Sequence, residues 1–339
     1  MSIYKLHNEL DDPNFSKINR INLSLLNPEQ INKGAVCEVF NSETYEGGEP
    51  KINGLFDPRM GCSDKNDICV TCGNYNDICP GHFGKIQLPL PVFNINTIDY
   101  VKKLLKCVCI RCSNVLIDKS DPAILSELDN KTPAQRFNII YNLSCKVKTC
   151  QHNQACFKMQ PTKFEKLLAD KVPTNESPLE IHAHMQSEAV KSSETSNNRI
   201  RMTPLDCYNI FRRISDIDSE FLGFNPKTSR PDWLIITVLP VPPPQVRPAA
   251  IHDNDLRAED DLTHLLNNIV KSSHHLKNKI DEEADKSTID THFGLLQYHI
   301  ICLINNDVSN IPTLAQRSSR SLKGIVQRLK QKEGRIRSN

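Results

Sequence analysis

The stretch CVTCGNYNDICPGHFG, Cys69 to Gly84, places three cysteines and a histidine in the order Cys69-x2-Cys72-x6-Cys79-x2-His82. Each pair forms a short knuckle that presents two donors to one ion, and Pro80-Gly81 supplies the bend that brings His82 round to the ion held by Cys79. Zn²⁺ takes four sulfur or nitrogen donors in a tetrahedron, and four protein ligands leave no position for a substrate. The chemistry implied is therefore structural. A thiol–disulfide exchange centre at Cys69 and Cys72 would need one activated thiol and has no use for two further ligands.

A second group begins at CVCIRC, where Cys109-x2-Cys112 is the natural knuckle and Cys107 the spare. Its partners lie farther on, among Cys145, Cys150 and Cys156, and the x5 interval between Cys150 and Cys156 is wider than a usual knuckle. Cys37, Cys62, Cys207 and Cys302 have no such company and read as packed thiols. Thirteen cysteines with no apolar run long enough for a signal peptide or a membrane span point to metal ligation in an intracellular protein.

The elements that must hold these groups can be read from pattern. IQLPLPVFNINTIDYVKKLLK, between the two clusters, is a strand followed by a helix. Asn27-Pro28 is a cap followed by proline at a first helical position. Residues 161–200 are polar and without period, and are expected to form a surface insertion of low order. TPLDCYNIFRRI restores regularity, with Thr203 as cap and Leu205, Tyr208, Phe211 and Ile214 on one helical face. WLIITVL is a buried strand that runs into the extended PVPPPQVRP segment.

Two apolar stripes then step by three and four: Leu262, Leu265, Leu266, Ile269, Leu276 and Ile280, followed by Ile289, Phe293, Leu296, Ile300 and Leu303. With DEEADKSTID between them, they predict an antiparallel helical hairpin, for which Glu259, Asp260 and Asp261 supply a helix N-terminus. A short amphipathic helix marked by Leu322, Ile325, Val326 and Leu329 precedes the terminus. No internal repeat is evident. The fold class expected is α+β, loop-rich, with short strands and metal sites as staples.

Charge is distributed unevenly. Residues 316–339 carry eight Lys or Arg and one Glu, net +7, which leaves −5 for the remainder of a chain whose total is +2. Arg317, Arg320, Lys323, Arg328, Lys330, Lys332, Arg335 and Arg337 could approach a phosphate backbone by releasing counterions, although a basic run of this kind is by itself more often a solvated helix face.

Six motifs in register carry a family resemblance: GLFDPRMG, CVTCGNYNDICPGHFGKIQLPLPVFN, CVCIRC, LGFNPKTSRPDWLIITVLPVPPPQVRP, RAEDDLT and RLKQKEGRIRSN. In this order they resemble the N-terminal region of the largest subunit of multisubunit DNA-directed RNA polymerases, nearest to the RNA polymerase II, archaeal and large-DNA-virus members. The resemblance runs from about Ile21 onward and lapses mainly between Pro161 and Asn198. It implies a clamp module that holds template DNA and the RNA–DNA hybrid, docks initiation and elongation factors on the helical hairpin, and works with other subunits, above all the second-largest and the remainder of the largest. It implies two structural Zn²⁺ ions, one on Cys69, Cys72, Cys79 and His82 and one on Cys109, Cys112, Cys150 and Cys156. It also turns the reading of the basic tail toward template contact, with most weight on Arg328, Lys330, Lys332, Arg335 and Arg337.

The resemblance divides the chain into an N-terminal core segment at 1–61, a double zinc-binding head at 62–160, the insertion at 161–200, a core helix and strand at 201–246, a lid-like loop at 247–258, the hairpin at 259–306 and a rudder-like, basic switch start at 307–339. Within the lid, His252 stands where polymerase II members carry an aromatic wedge, with Arg257 beyond it. The family's Mg²⁺-binding Asp-x-Asp-x-Asp run does not occur; HDNDLRAEDDL has the wrong spacing. The expectation is a chain inactive alone, either a split-gene product or a fragment, working in the nucleus if cellular and eukaryotic, or in host cytoplasm or virion if viral. Abundant Asn, Lys, Ile and Ser with sparse Gly favour a viral, AT-rich source. The competing function class is a stand-alone zinc-stabilised DNA-binding transcription regulator with a basic arm.

Overall fold

The computed structural model describes residues 24–63, 67–151, 156–168, 177–185, 199–251, 257–316, 318–330 and 332–338. Asn27 caps α1 (Pro28–Gly34) through a reciprocal capping box with Gln30, as the Asn-Pro pair predicts. The chain then makes a small hairpin, β1 (Tyr45–Glu46) and β2 (Glu49–Pro50), before it reaches the first cysteine cluster. Strand β3 (Gly84–Phe93) and helix α2 (Ile98–Cys107) follow where the sequence places a strand and a helix. Val101, Leu104 and Leu105 of α2 are fully buried. Two further helices, α3 (Pro122–Leu128) and α4 (Pro133–Ser144), both start with proline at the first helical position.

The expectation of low order at 161–200 is corrected in the described part of that segment. β4 (Lys163–Leu168), β5 (Leu179–His184) and β6 (Arg199–Met202) form a three-stranded antiparallel sheet of order β4-β5-β6. Its inward row of Phe164, Leu179, Ile181, Ala183 and Met202 is buried. The outward row carries His182 on Glu180 at 2.7 Å and His184 on Glu165 at 2.9 Å. In β5 the inside–outside alternation of two is strict, but polar side chains on the outer row gave the segment the composition of a loop.

Helix α5 (Pro204–Arg212) begins with the expected Thr203 cap, completed by Asp206. Its buried face is Pro204, Cys207, Ile210 and Phe211, so Leu205 stands outside; the helix is rotated by about one residue from the predicted stripe. After α6 (Asp216–Phe221), strand β7 (Ile235–Val241) pairs antiparallel with β3, from Gly84 opposite Val241 to Phe93 opposite Ile235, with a register shift between Gln87 and Val92. Prolines 89 and 91 sit inside that irregular stretch, where no ladder hydrogen bond is demanded of them. The pair β8 (Ala250–Ile251) and β9 (Arg257–Ala258) leads into the hairpin.

The hairpin consists of α7 (Asp261–Asp281) and α8 (Lys286–Ile304). The stripe residues Leu265, Leu266, Ile269, Leu276, Leu296 and Ile300 are all fully buried. The turn is shorter than its polar sequence suggests, because α8 already starts at Lys286. Gln297 fastens the hairpin to the sheet: its amide accepts from Phe93 N and donates to Phe93 O, both at 2.8 Å, and so replaces a missing strand partner in the core. Two short helices, α9 (Ile325–Leu329) and α10 (Arg335–Ser338), end the chain. Leu322 is buried just ahead of α9 rather than on it. Among the described residues no helix is long and apolar enough to cross a membrane.

Candidate metal centres and basic cleft

The donor atoms of Cys69, Cys72, Cys79 and His82 all lie within 4.8 Å of one another. Cys69 receives the chain back on itself: its N–H donates to Asn74 O at 2.9 Å, while its carbonyl accepts from Gly73 N at 2.8 Å. That turn requires a left-handed residue, and Gly73 adopts φ +70° there. Gly81, at φ +77°, serves the second knuckle, where a Cβ would lie 2.7 Å from Pro243 Cγ. His82 is further held by its N–H on Met60 O at 2.8 Å, and its Nε2 stands 3.8 Å from Cys79 Sγ.

The GLFDPRMG segment acts as the footing of this centre. Asp57 is fully buried, bound by Arg59 Nη2 at 2.6 Å and by the Asn53 N–H at 2.6 Å, while Thr71 Oγ1 donates to Arg59 O at 2.6 Å. Burial would raise the Asp57 carboxyl, but the Arg59 guanidinium and the two backbone donors overcome it and hold it below the usual range. The hydrogen bond with His82 pulls the Cys72 thiol down to about 6, whereas burial pushes Cys79 up to about 11. A bound dication would hold such thiols together as thiolates, including Cys79, whose burial otherwise disfavours the charged form.

In the second group the structure brings together four of the candidate donors. Cys109, Cys112, Cys150 and Cys156 converge within 4.8 Å, with Cys109 Sγ 3.7 Å from Cys156 and Cys112 Sγ 3.7 Å from Cys150. A tetrahedron with metal–sulfur bonds of ~2.3 Å has edges of ~3.8 Å. Both sets therefore have the dimensions of a four-coordinate centre. Cys145 is exposed and Cys107 is buried with its Sγ on Lys103 O at 3.2 Å, so neither enters the set.

Sequence reasoning missed Gln160, which is 4 % exposed. Its Nε2 donates to Cys109 Sγ at 3.2 Å and its Oε1 accepts from Ile110 N at 3.2 Å, a clamp on a sulfur of the candidate ligand set. It also missed a repeat. Residues 68–75, ICVTCGNY, and 108–115, VCIRCSNV, build the same knuckle: an antiparallel bridge (Ile68–Tyr75, Val108–Val115), a Cys N–H donating to the Asn carbonyl five residues on at 2.9 Å, and a left-handed residue after the second Cys. Ser113 adopts φ +64° where the first copy has glycine.

The basic residues divide into two groups. Arg328 Nη2 binds both carboxylate oxygens of Asp260, at 2.5 and 2.7 Å, and Arg320 Nη2 binds Asp261 at 2.5 Å. Asp260 also caps α7 through Leu262 N at 2.8 Å, and Asp261 accepts from the Lys323 N–H at 3.1 Å. The acidic residues read as helix caps thus anchor the tail as well. Lys323, Lys330, Lys332, Arg335 and Arg337 are exposed, with Arg335 donating to Val246 O at 3.1 Å and Lys332 3.9 Å from Glu333. These elements line a cleft of 1010 Å³ to which Arg320, Lys323, Arg328, Lys330 and Arg335 contribute alongside the carboxylates of Glu259, Asp260, Asp261, Asp307 and Glu333. Arg317 and the lid position His252 lie outside the described residues, and Arg257 is placed only by its backbone, opposite Ile251 in β9.

The first residue of the lid-like segment has another role: Arg247 is fully buried. It donates from Nε to Pro242 O at 3.1 Å, from Nη1 to Thr263 Oγ1 at 3.1 Å and from Nη2 to Leu55 O.

The profile of the family described as RNA polymerase Rpb1, domain 1, matches residues 15–339. The chain belongs to this family. It is thus an N-terminal region of the largest RNA polymerase subunit, part of a DNA-directed nucleotidyltransferase complex and a partner of its other subunits. As an Rpb1 domain 1, it carries the two donor clusters at opposite ends of α2 and β3, and its basic tail is tied to the foot of the hairpin.

Proposed function

We propose that this chain is the clamp portion of the polymerase: it holds template DNA and the RNA–DNA hybrid, offers its hairpin to transcription factors, and binds two structural Zn²⁺ ions. The observation that carries the reading is the junction of tail and hairpin. Asp260 and Asp261, at the first turn of α7, hold Arg328 and Arg320 and thereby fix the 1010 Å³ cleft in which Lys323, Lys330 and Arg335 stand free of carboxylate partners among the described residues. Arg320 and Arg328 are accordingly assigned to organising the tail, and Lys323, Lys330, Lys332, Arg335 and Arg337 to the phosphate backbone. Contacts of that kind position a duplex without reading its sequence, as a processive enzyme needs.

Zinc follows from the donors: three thiolates with one imidazole, and four thiolates, in closed tetrahedra are the ligand sets of structural zinc. In the assembled polymerase the catalytic Mg²⁺ would be held elsewhere, and this chain alone would not add nucleotides. The exposed outer flank of the hairpin, with His274, His275 and Lys277, is the surface offered to initiation and elongation factors. The setting is intracellular: nuclear for a cellular eukaryotic enzyme, host cytoplasm or virion for a viral one.

The test is a polymerase assembled on a primed template with Lys330, Lys332 and Arg337 changed together to Ser. Expected is release of template at lower salt, with the slope of log affinity on log salt reduced by about 2 to 3. An unchanged slope in a correctly assembled enzyme would remove the tail from the template path.

A further inference from the structure

Beside the second cysteine cluster and apart from the basic tail, α2 and the start of β4 bring lysines together around a cavity of 270 Å³ that Cys145 also lines. Lys102, Lys103, Lys106 and Lys163 line it with the hydroxyl-bearing Tyr141 and Thr162, and Asp99 is the one carboxylate among its lining residues. Asp99 is already engaged by Lys102 at 3.0 Å. Lys103 lies over the Tyr141 ring, 5.7 Å from its centroid, and makes no direct ion pair among the described residues.

Lys106 is the most telling of the four. It is 6 % exposed, and its ammonium, with three donors, makes one hydrogen bond, to Pro161 O at 2.7 Å. Burial pushes its pKa below the usual lysine value. A structural role in the last turn of α2, where the helix end favours a cation, accounts for Lys106 by itself. It does not account for three further lysines converging on the same cavity, although Lys102 is paired with Asp99 and Lys163 stands 3.4 Å from Glu165 Oε1 on its outer side.

We propose that this cavity is an anion site that takes a phosphate group, with Lys106 at its floor and Lys102, Lys103 and Lys163 at its rim. A volume just below the ~300 Å³ of small-molecule sites admits phosphate, pyrophosphate or the terminal phosphate of a nucleic acid. The two sources share one recognition chemistry, several ammonium groups on a compact polyanion.

The test uses the full zinc-loaded chain and titration calorimetry at low salt. The probes are inorganic pyrophosphate and a trinucleotide with a 5′-phosphate or a 5′-hydroxyl. Expected is one pyrophosphate per chain, with affinity lowered about tenfold or more by Lys106→Met and by Lys163→Ala, and untouched by Lys330→Ala in the basic tail. Preference for the 5′-phosphorylated trinucleotide over pyrophosphate would assign a nucleic-acid end as the source; the reverse order would assign the free anion. Lys163 is exposed, so its variant decides the matter should Lys106→Met fail to fold. Absence of binding up to about 5 mM pyrophosphate, or equal loss on Lys330→Ala, would overturn the proposal.

Discussion

Arg247→Met is the substitution whose cost can be worked most directly from the structure. Methionine matches the aliphatic stem of arginine but has no donor. The guanidinium bonds to Pro242 O, Thr263 Oγ1 and Leu55 O join the polyproline segment, the hairpin and the N-terminal part of the chain, and its Cζ lies over the Phe56 ring, 5.0 Å from its centroid. Removing the donor leaves three oxygens in a fully buried site, each at a cost of about 1 kcal/mol or more. The lost contact with Phe56 adds ~1 kcal/mol. Against this stands the relief of a buried cation, whose desolvation already lowers its pKa to about 10. The net expectation is a loss of about 3 kcal/mol, a large share of the ~5–15 kcal/mol that holds a domain together. The assay is urea unfolding of the zinc-loaded chain, compared with Arg247→Lys, which keeps the charge but cannot reach all three oxygens and should recover less than half of the loss. A shift below about 1 kcal/mol for Arg247→Met, with unchanged slope, would refute the view that this arginine is a structural tie rather than part of a mobile lid.

Other outcomes follow from single sites. Cys72→Ser and Cys150→Ser should each lower bound zinc from two ions to about one by elemental analysis, and loosen only their own end of the fold; retention of both ions would break the assignment of ligands. Ser113→Gly should stabilise by about 1 kcal/mol in thermal unfolding, because it removes a left-handed serine whose buried hydroxyl has no hydrogen-bond partner. His299 is held neutral by burial, its pKa lowered to about 4, with Nδ1 unpartnered. The unfolded chain therefore takes up the proton first, and stability present above pH ~6.5 is lost toward pH 4 at up to about 1.4 kcal/mol per pH unit. His299→Leu should flatten that slope between pH 7 and 5.5, and an equal slope in both proteins would exclude the residue as its source.

Much of the candidate site was legible because its information is local. The Cys69–His82 ligands fall within two knuckles, the caps at Asn27, Thr203 and Asp260 lie two or three residues from the groups they satisfy, and the hairpin stripes repeat at the helical period. The choice of Cys150 and Cys156 over Cys145 was not local: it depends on where α4 delivers the chain, and spacing alone left three candidates. The sheet β4-β5-β6 escaped notice because its outer row pairs histidines with glutamates, and such pairs exist only once the register is set. The rotation of α5 by one residue arose from Cys207 and Ile210 being drawn into the core in place of Leu205.

The sequence by itself determined the two cysteine knuckles, the helical hairpin, the concentration of positive charge and, through its motifs, the polymerase family. Only the tertiary structure decided which cations are free. Arg247, Arg320 and Arg328 are separated from Leu55, Asp261 and Asp260 by long stretches of chain, and a guanidinium's partner is fixed by the packing of whole elements rather than by its neighbours in sequence. The same holds for Lys106, which composition counts as one more surface lysine and which folding seals against Pro161.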